Sequence, residues 1–350
     1  MSDLDSAELY TKSPYREAFS IVDRYVEDLE SGIESGQRIE LNVEKIENVL
    51  LIGIGGSGII CDIAAQLLRN AGINAEVTRN YKVKPGSWDL AIAVSHSGNT
   101  AETLEPVLDL IEKRIKCVFI TSNGILEELG KKFKIPTAFI RGDVPPRYGF
   151  PNMLGAALGV IRKLNLMSLN IDFQKLRSFQ SRIRENVKTD ENPAKKLALK
   201  IAETSLPIIY VYDEVRNIGY RLKCQLNENA KIYCGFAEIP EALHNEIEGL
   251  PPNSLIILPR SSKESWEISK TIETLIKYLG EERCLSLRVE SKEGFQEDLE
   301  FFLLVDYASL YLSILRKVDP LILPKVGKLR SLNKAYEDVL RRAREKLGEA

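Results

Sequence analysis

Glycines and hydroxyl residues are concentrated in two short segments of the chain, and this combination suits the binding of a small anion. The first segment, Gly53–Gly58, reads Gly-Ile-Gly-Gly-Ser-Gly, and the second, Ser95–Thr100, reads Ser-His-Ser-Gly-Asn-Thr. Glycine lets backbone N–H groups approach an anion, a following helix adds its positive N-terminal dipole, and hydroxyl groups supply further donors. The residues expected to bind a phosphate group are Gly55, Gly56, Ser57, Ser95, Ser97 and Thr100.

The glycine segment by itself is compatible with two kinds of ligand. Gly53–Gly58 matches the G-x-G-x-x-G pattern of dinucleotide-binding turns, and Glu76 could be the carboxylate that binds a ribose. A terminal phosphate, in contrast, has three open oxygens and benefits from an additional hydroxyl donor such as Ser57. On this segment alone, a nicotinamide-dependent oxidoreductase and a phosphate-binding protein are equally supported.

The second segment favours a phosphomonoester over a dinucleotide. An ordinary helix cap formed by Ser97 or Thr100 is the simplest alternative explanation for hydroxyl residues at this place. A cap needs one hydroxyl, however, and Ser95–Thr100 offers three together with a glycine. A dinucleotide-binding fold has no such requirement at its second loop, so the segment indicates a site for one small anion.

Both segments follow apolar runs that read as buried strands, and helices follow in turn. This alternation predicts parallel sheets that are covered on both faces. Strands are predicted at residues 48–54, 90–95, 117–121 and 137–140, and again at 207–212, 255–258 and 284–289. The fold class is therefore α/β, with two doubly wound parallel-sheet domains joined by helices. The predicted boundaries are 1–155 for the N-terminal domain, 156–204 for the helical connection and 205–350 for the C-terminal domain.

The end of the chain reads as a single amphipathic helix that completes the C-terminal domain. One apolar stripe consists of Val326, Leu329, Leu332, Tyr336, Val339 and Leu340. The phase of this stripe places Lys328 closer to the buried edge of the helix than Arg330.

Composition argues against several classes of function. The 350 residues are 44% apolar and 28% charged, and a net charge of −2 creates no basic field to attract nucleic acid. No signal segment is recognised, and no apolar run approaches the roughly 18 residues that span a bilayer. Two histidines and five scattered cysteines argue against a metal site. We expect a soluble cytoplasmic protein with no metal and no membrane contact.

A strand, the pattern Ser-x-Ser-Gly-x-Thr and a helix, preceded by Gly-Gly-Ser, resemble the sugar isomerase (SIS) domain. The two-domain layout resembles the phosphoglucose isomerase superfamily and, within it, the archaeal-type bifunctional phosphoglucose/phosphomannose isomerases. The resemblance extends from Val49 to about Leu332. It implies two flavodoxin-like SIS domains, a homodimer, a sugar 6-phosphate substrate and no cofactor.

The resemblance also implies roles for residues outside the two loops. Arg147 would stabilise the negative charge of an enediolate, the alternative being a surface arginine paired with Asp143. Glu228 would move a proton between C1 and C2, and is otherwise a solvated helix carboxylate. His244 would open the sugar ring from across a dimer interface, and is otherwise a surface histidine. His96 occupies a variable position of the loop pattern and is expected to be a neighbour of the site.

The residues around Glu228 add to this assignment. Gln225, Asn227 and Asn229 lie in the same short span, an unusual density of amides for a helix that faces water. The assignment of the base to Glu228 nevertheless depends on the resemblance.

One position departs from the family pattern. Members of the family carry a catalytic lysine in an Ile-x-x-Leu-Lys pattern on the last helix, whereas the same register here, Val326–Arg330, ends in arginine. An arginine can polarise the ring oxygen but does not readily exchange a proton. Arg330 by register and Lys328 by helical phase are therefore alternative partners in ring opening.

We expect a metal-free isomerase that interconverts glucose 6-phosphate and fructose 6-phosphate through a cis-enediol. Whether mannose 6-phosphate also reacts depends on the space around C2 and C3, which no motif describes. Alternatives are a non-catalytic SIS protein that senses a sugar phosphate, an isomerase domain of the glucosamine-6-phosphate amidotransferase type, and a nicotinamide-dependent oxidoreductase. The paired Glu228 and His244 argue against the first, and no glutaminase region is recognised for the second.

Overall fold

The structure, a computed structural model, describes residues 3–43, 45–83 and 85–348. The chain divides into two compact units, each built around one parallel sheet. The first sheet unit comprises Arg24–Leu169 and the part from Leu323 onward, and the second sheet unit comprises the part up to Asp23 and Asn170–Ile322. The predicted α/β class with two doubly wound parallel sheets is confirmed.

Among the described residues, five parallel strands form the first sheet and four form the second. The strands of the first sheet are β1 (Asn48–Ile52), β2 (Asn74–Thr78), β3 (Leu90–Ser95), β4 (Cys117–Thr121) and β5 (Thr137–Phe139). Those of the second sheet are β6 (Leu206–Val211), β7 (Gly235–Glu238), β8 (Ser254–Pro259) and β9 (Cys284–Leu287). The spatial orders are β2-β1-β3-β4-β5 and β7-β6-β8-β9.

Helices account for most of the remaining described residues. The α-helices are α1 (Tyr15–Val22), α2 (Tyr25–Gln37), α3 (Gly56–Asn70), α4 (Ala101–Glu112), α5 (Gly124–Phe133), α6 (Phe150–Lys163), α7 (Phe173–Ile183), α8 (Pro193–Ala202), α9 (Arg216–Glu228), α10 (Trp266–Leu279), α11 (Gly294–Leu315), α12 (Pro324–Ser331) and α13 (Lys334–Leu347). Short 3-10 helices occur at Asp3–Asp5, Ala7–Thr11, Asp213–Val215, Glu241–His244, Glu246–Gly249 and Glu281–Arg283. Within the described ranges, none of the helices has both the length and the apolar character that crossing a membrane requires.

In the first sheet, the connection after β1 runs toward β2 and the connection after β3 runs toward β4, so the two connections run in opposite directions along the sheet. β1 pairs with β2 on one side and with β3 on the other, where Leu51 lies opposite Ile92. Because crossovers between parallel strands are right-handed, α3 and α4 cover opposite faces of the sheet. The carboxyl ends of β1 and β3 therefore border a crevice of the kind that binds ligands in doubly wound folds.

The beginning of the chain packs in the second sheet unit, although the predicted boundaries place it in the N-terminal domain. Phe19 of α1 lies against two aromatic rings of α11, with centroid distances of 6.1 Å to Tyr307 and 5.1 Å to Tyr311. The Tyr15 hydroxyl donates to the carbonyl of Ser313 on the same helix. The aromatic face of α1 thus packs against a helix almost 300 residues away in the chain. A contact of this kind leaves no pattern in the local sequence.

The C-terminal segment belongs to the first sheet unit and forms two helices, whereas the sequence predicts one helix in the C-terminal domain. α12 ends at Ser331, and Asn333 caps α13 by accepting a hydrogen bond from the Ala335 N–H at 3.1 Å. Val339 and Ala343 of α13 are buried in a core formed with α4, α5 and the first sheet. The break between the helices lets only α13 follow that apolar surface.

The first half of the predicted apolar stripe is exposed. Val326 is 42% exposed, and Leu329 and Leu332 are each 70% exposed. A continuous helix would have carried Leu329 and Leu332 toward the face that holds Val339. The interruption of the helix between Ser331 and Lys334 separates them from that face.

In the second sheet, the chain leaves β6 and β8 in opposite directions, as it leaves β1 and β3 in the first. β6 pairs with β7 on one side and with β8 on the other. Right-handed crossovers then place α9, which connects β6 to β7, on one face. The segment from β7 to β8 and the helix α10 lie on the opposite face, because both connections run the other way along the sheet.

Buried polar side chains attach α9 to α11. Arg221 donates two hydrogen bonds to the Asp306 carboxylate, 2.9 and 2.8 Å long, and both side chains are at most 3% exposed. Gln225 donates to the same carboxylate at 2.8 Å, and Asn229 donates to Ser309 Oγ at 2.9 Å. These residues follow one another at intervals of one helical turn, so they determine the position of the last turn of α9.

Breaking this buried ion pair on one side is expected to destabilise the chain more than replacing the whole pair. In Asp306→Ala the Arg221 guanidinium stays buried without its carboxylate, and we expect the free energy of unfolding to fall by about 3–5 kcal/mol. The double variant Arg221→Met/Asp306→Leu replaces both charges by apolar groups and is expected to be more stable than Asp306→Ala. Urea unfolding of the three proteins measures the difference, and a double variant less stable than the single one would contradict this expectation.

Candidate functional site

The glycine segment forms a tight turn from β1 into α3. Gly55 precedes the helix with φ of 61° and ψ of −131°, a conformation that glycine alone adopts readily. Apart from the turn itself, no described atom lies within 4 Å of a Cβ built on Gly55, so the turn can be approached closely. Ser57 lies in the first turn of α3, and its hydroxyl donates to Met153 Sδ at 3.6 Å.

The second segment connects β3 to α4 through hydroxyl groups that bind within the loop. Ser95 ends β3 and donates to Thr100 Oγ1 at 3.1 Å. Ser97 Oγ accepts a hydrogen bond from the Asn99 N–H at 3.3 Å. Thr100 stands at the N-cap of α4, yet its side chain caps none of the described N–H groups of that helix. Capping, the alternative to phosphate binding, therefore does not account for these hydroxyls.

Neighbouring segments hold this hydroxyl loop closely. Gly98 has φ of 65°, and a Cβ at this position would lie 1.8 Å from the carbonyl oxygen of Asn123. From α13, the Tyr336 hydroxyl donates to the Asn99 carbonyl at 2.6 Å. In the sequence, Tyr336 belongs only to an apolar stripe, and its phenol group is the one sign of a second role.

The segment before α6 lies against both loops. The Cα of Arg147 is 3.9 Å from a Cβ built on Gly56, in the glycine turn. Gly149 adjoins the other loop, since a Cβ there would lie 2.5 Å from Cδ2 of the His96 ring. The first sheet unit thus brings Arg147, the glycine turn and the hydroxyl loop together at the carboxyl ends of β1 and β3.

Arg147 is buried, and the surface carboxylate considered as its partner in the sequence, Asp143, is bound by Arg141. Arg147 is 4% exposed, and its guanidinium lies 4.7 Å from the centre of the Tyr148 ring. Asp143 instead accepts two hydrogen bonds from Arg141, 2.8 and 2.7 Å long. Hydrogen bonding to Arg141 lowers the pKa of Asp143 to about 2. A buried guanidinium on a segment that adjoins two donor-rich loops can stabilise negative charge on a bound molecule.

His96 lies inside the hydroxyl loop as a buried side chain. It is 5% exposed, and burial lowers the pKa of His96, so the ring is neutral at pH 7. Its carbonyl accepts hydrogen bonds from the N–H and the hydroxyl of Ser122, at 3.1 and 2.6 Å. These bonds tie the loop after β3 to the loop after β4. The placement agrees with the interpretation of His96 as a neighbour of the site.

Neither the position of Glu76 nor the grouping of the described His, Cys, Asp and Glu side chains supports a dinucleotide site or a metal site. Glu76 lies in the middle of β2, opposite Leu50, and Thr78 ends the strand. Ligands in doubly wound folds meet the carboxyl ends of the strands, so Glu76 is not at the expected place for a ribose carboxylate. Among the described residues, no three His, Cys, Asp or Glu side chains are grouped so that they could hold a metal ion.

In the second sheet unit, Glu228 and His244 lie on opposite faces of the sheet. Glu228 ends α9 and is half-buried, and His244 is exposed in the short helix after β7. Leu243 and Ile247, on either side of His244 in the chain, line a groove together with side chains of α10. Because α9 and α10 cover opposite faces, the second sheet separates Glu228 from His244 within one chain.

The amides around Glu228 have a packing role. Gln225 and Asn229 bind α11 as described above, whereas Asn227 is exposed. In the sequence, the density of amides around Glu228 favours a catalytic site. The packing of α9 against α11 explains this density in part.

Neither of the two C-terminal basic residues is buried. Every residue of α12 is exposed, so helical phase does not favour Lys328 over Arg330, contrary to the expectation from the apolar stripe. The Arg330 guanidinium lies 6.0 Å from the centre of the Tyr336 ring. Arg330 therefore adjoins the side chain that holds the hydroxyl loop.

Solved structures of low sequence identity share this architecture. A hypothetical protein from Thermus thermophilus has a TM-score of 0.70 at 17% identity, covering 93% of this chain and 92% of that one. Glucosamine-6-phosphate deaminase from Thermotoga maritima has a TM-score of 0.62 at 18% identity, covering 87% and 98%. The sequence profile of the bacterial phospho-glucose isomerase C-terminal SIS domain matches residues 190–332. The fold and the two loops thus define an SIS-domain protein.

Sequence relatives specify the family. The bifunctional phosphoglucose/phosphomannose isomerase of Pyrobaculum calidifontis is 31% identical over 309 residues, which cover 85% of this chain and 94% of that protein. The protein of the same name from Caldicellulosiruptor bescii is 30% identical over 338 residues, covering 89% and 98%. The D-glucosamine-6-phosphate 4-epimerase of Sulfolobus acidocaldarius is 33% identical over 207 residues, covering 59% and 65%. The chain belongs to the bifunctional phosphoglucose/phosphomannose isomerase family and is an isomerase.

Two glycine-to-alanine variants test the packing of the loops. Gly98→Ala adds a backbone clash with the Asn123 carbonyl to the strain of a positive φ, and we expect a loss of about 3 kcal/mol in the free energy of unfolding. Gly55→Ala meets open space and carries the backbone strain alone, about 1–2 kcal/mol. Gly72→Ala, at a positive φ with no described neighbour within 4 Å, is the control outside the loops. Urea unfolding measures the three losses, and equal values for Gly98 and Gly55 would contradict the close approach.

Proposed function

We propose that this isomerase interconverts glucose 6-phosphate and fructose 6-phosphate, with mannose 6-phosphate as a further substrate. The observation that carries the proposal is the meeting of the glycine turn, the hydroxyl loop and Arg147 beside one crevice of the first sheet. Backbone N–H groups, hydroxyls and a buried guanidinium are the donors that a phosphorylated, transiently anionic substrate needs. The names of the relatives support glucose and mannose as the sugars.

In this mechanism, Glu228 moves one proton while the phosphate anchors the substrate. Glu228 removes the proton from C2 of the open-chain aldose, and negative charge develops on O1 as a cis-enediolate that Arg147 stabilises. The carboxylic acid then returns the proton to C1, and the hydroxyl proton on O2 moves to O1, which gives the ketose. The phosphate-binding residues are Gly55, Gly56, Ser57, Ser95, Ser97 and Thr100. Binding energy from the phosphate positions the reacting carbons, and no metal ion takes part.

Ring opening is assigned to His244 together with Arg330 or Lys328. His244 transfers a proton to the ring oxygen, and the basic side chain polarises that oxygen. Because the second sheet separates Glu228 from His244 within one chain, His244 is supplied by the second subunit of a homodimer. The cytoplasmic location stays a prediction from the sequence.

Epimerisation of glucosamine 6-phosphate at C4 is the second candidate reaction. The relative of that name has 33% identity, although the alignment covers 65% of its length. Its name gives a substrate with a 6-phosphate, and the phosphate loops would serve such a substrate equally well. Arg330 stands where the family carries its catalytic lysine, and this difference is compatible with a different reaction.

Glu228→Gln is expected to lower kcat for fructose 6-phosphate by 10²–10⁴-fold with little change in KM, because the amide cannot accept a proton. A coupled assay that detects glucose 6-phosphate, run in EDTA, measures this rate. Glu203→Gln is the matched control, since Glu203 also stands at the C-terminal end of a helix in the second sheet unit.

Three results would contradict the proposal: a normal rate in Glu228→Gln, loss of the wild-type rate on chelation, or no turnover of fructose 6-phosphate. Conversion of glucosamine 6-phosphate to its 4-epimer, followed by NMR, without turnover of fructose 6-phosphate would favour the second candidate. A change in nicotinamide absorbance with NAD and an alcohol would restore the oxidoreductase interpretation.

Mixing two inactive variants tests the shared site. If Glu228→Gln and His244→Ala are unfolded and refolded together in equal amounts, half of the dimers contain one chain of each kind. Each mixed dimer has one site with both Glu228 and the partner's His244, so we expect about one quarter of the wild-type activity. Each variant refolded alone is the control. No recovery in the mixture would mean that both residues act within one chain.

A further inference from the structure

The second sheet repeats the hydroxyl turn of the first at the equivalent place. Ser97 is the second residue after β3, and its Oγ accepts a hydrogen bond from the Asn99 N–H. Ser261 is the second residue after β8, and its Oγ accepts a hydrogen bond from the Lys263 N–H at 3.1 Å. β3 and β8 also hold equivalent positions, each beside the first strand of its sheet. The same local geometry thus borders the crevice between β6 and β8.

A carboxylate of the chain occupies the donors of this second turn. Glu297, in the first turn of α11, is 3% exposed. Its oxygens accept hydrogen bonds from Ser261 Oγ at 2.7 Å, from the Ser262 N–H at 2.9 Å and from Ser262 Oγ at 3.0 Å. One N–H and two hydroxyls that converge on a single oxyanion are the kind of donor set that binds a phosphate or a carboxylate ligand.

The rest of the second crevice is filled as well. A tyrosine, Tyr212, follows β6 where a glycine follows β1, and its hydroxyl accepts from the Ser261 N–H at 2.8 Å and donates to Glu264 at 3.0 Å. Glu264 also binds Arg260 and Arg288. The cations and donors around the turn are thus already paired with groups of the chain.

The segments that follow the last strand of each sheet bring opposite charges. After β5, the chain brings the backbone of Arg147, whose side chain is buried, next to the glycine turn. After β9, it carries the buried carboxylate of Glu297 toward the hydroxyl turn. A guanidinium attracts a phosphorylated ligand, whereas a carboxylate both occupies the donors and repels a second anion.

We propose that Glu297 is a resident anion of the second sheet: its carboxylate takes the place of a ligand oxyanion in the crevice between β6 and β8. The chain accordingly binds one phosphate group and not two. The count of one rests on the proposed phosphate role of the first sheet's loops, whereas the role of Glu297 is independent of it.

Rescue by a small carboxylate tests the role of Glu297. Glu297→Ala removes the equivalent of acetate, and the buried hydroxyl of Ser261 and the N–H of Ser262 lose the acceptor that they have in wild type. We expect its melting temperature to rise by roughly 2–4 °C in sodium acetate relative to sodium chloride of equal concentration, because acetate binds the folded state. Neutral acetamide at the same concentration is expected to have no such effect. In wild type and in Glu297→Gln, where the side chain fills the space, acetate and chloride should act alike.

The acetate experiment can also contradict the proposal for Glu297. An equal shift with acetamide, or no difference between acetate and chloride, would overturn the assignment of an anion site. If Glu297→Ala is recovered folded only when acetate is present, the proposal is supported, and failure to fold in acetate as in chloride contradicts it.

Equilibrium dialysis of the wild-type protein with labelled inorganic phosphate gives an independent measurement. We expect one phosphate per chain, lost in Ser97→Ala and retained in Ser261→Ala. Two phosphates per chain would overturn the proposal for Glu297. No bound phosphate would contradict the phosphate role of the first sheet's loops, and the acetate experiment alone would then decide on Glu297.

Discussion

The parallel pairing of β1 with β3 is the constraint on which the chemistry of the first sheet unit depends. Parallel neighbours end at the same edge of a sheet, so the loops that follow them are adjacent although about 40 residues separate them in the chain. Because the two crossovers run in opposite directions, α3 and α4 leave the edge on opposite faces and keep the space between the loops open. The Arg147 segment can then reach both loops, and Gly149 lacks the side chain that would clash with the His96 ring.

Buried polar contacts set the geometry of the second sheet unit. Arg221 and Gln225 share the carboxylate of Asp306, and these contacts leave little freedom for the end of α9, where Glu228 stands. A charged pair in the interior contributes more to orientation than to net stability, since desolvation offsets much of the attraction. Two of the amides near Glu228 therefore support the end of α9, and their density in the sequence reflects this packing.

The two sheets share one local turn geometry, but different groups lie beside the turn in each sheet. A serine two residues after a strand accepts a hydrogen bond from the N–H two positions on, at Ser97 and again at Ser261. In the first sheet the surrounding glycines leave room for a ligand, whereas in the second a tyrosine and the carboxylate of Glu297 take up that room. A repeated fold can in this way keep a single anion site, because one side chain of the right charge is enough to occupy a small set of donors.

The amino-acid sequence by itself determines most of the strands, the two loops and the family. β3 and β4 have the predicted bounds, because strands buried on both faces leave uninterrupted apolar runs. The short strand β7 and the helices α1 and α2 have no comparable signal and are found only in the structure. The tertiary structure alone decides which unit each end of the chain joins, where the C-terminal stripe breaks, and that His244 and Glu228 lie on opposite faces of one sheet. An apolar stripe shows that a helix face needs a partner, but the partner lies far away in the chain, and its identity depends on how the sheets bring distant segments together.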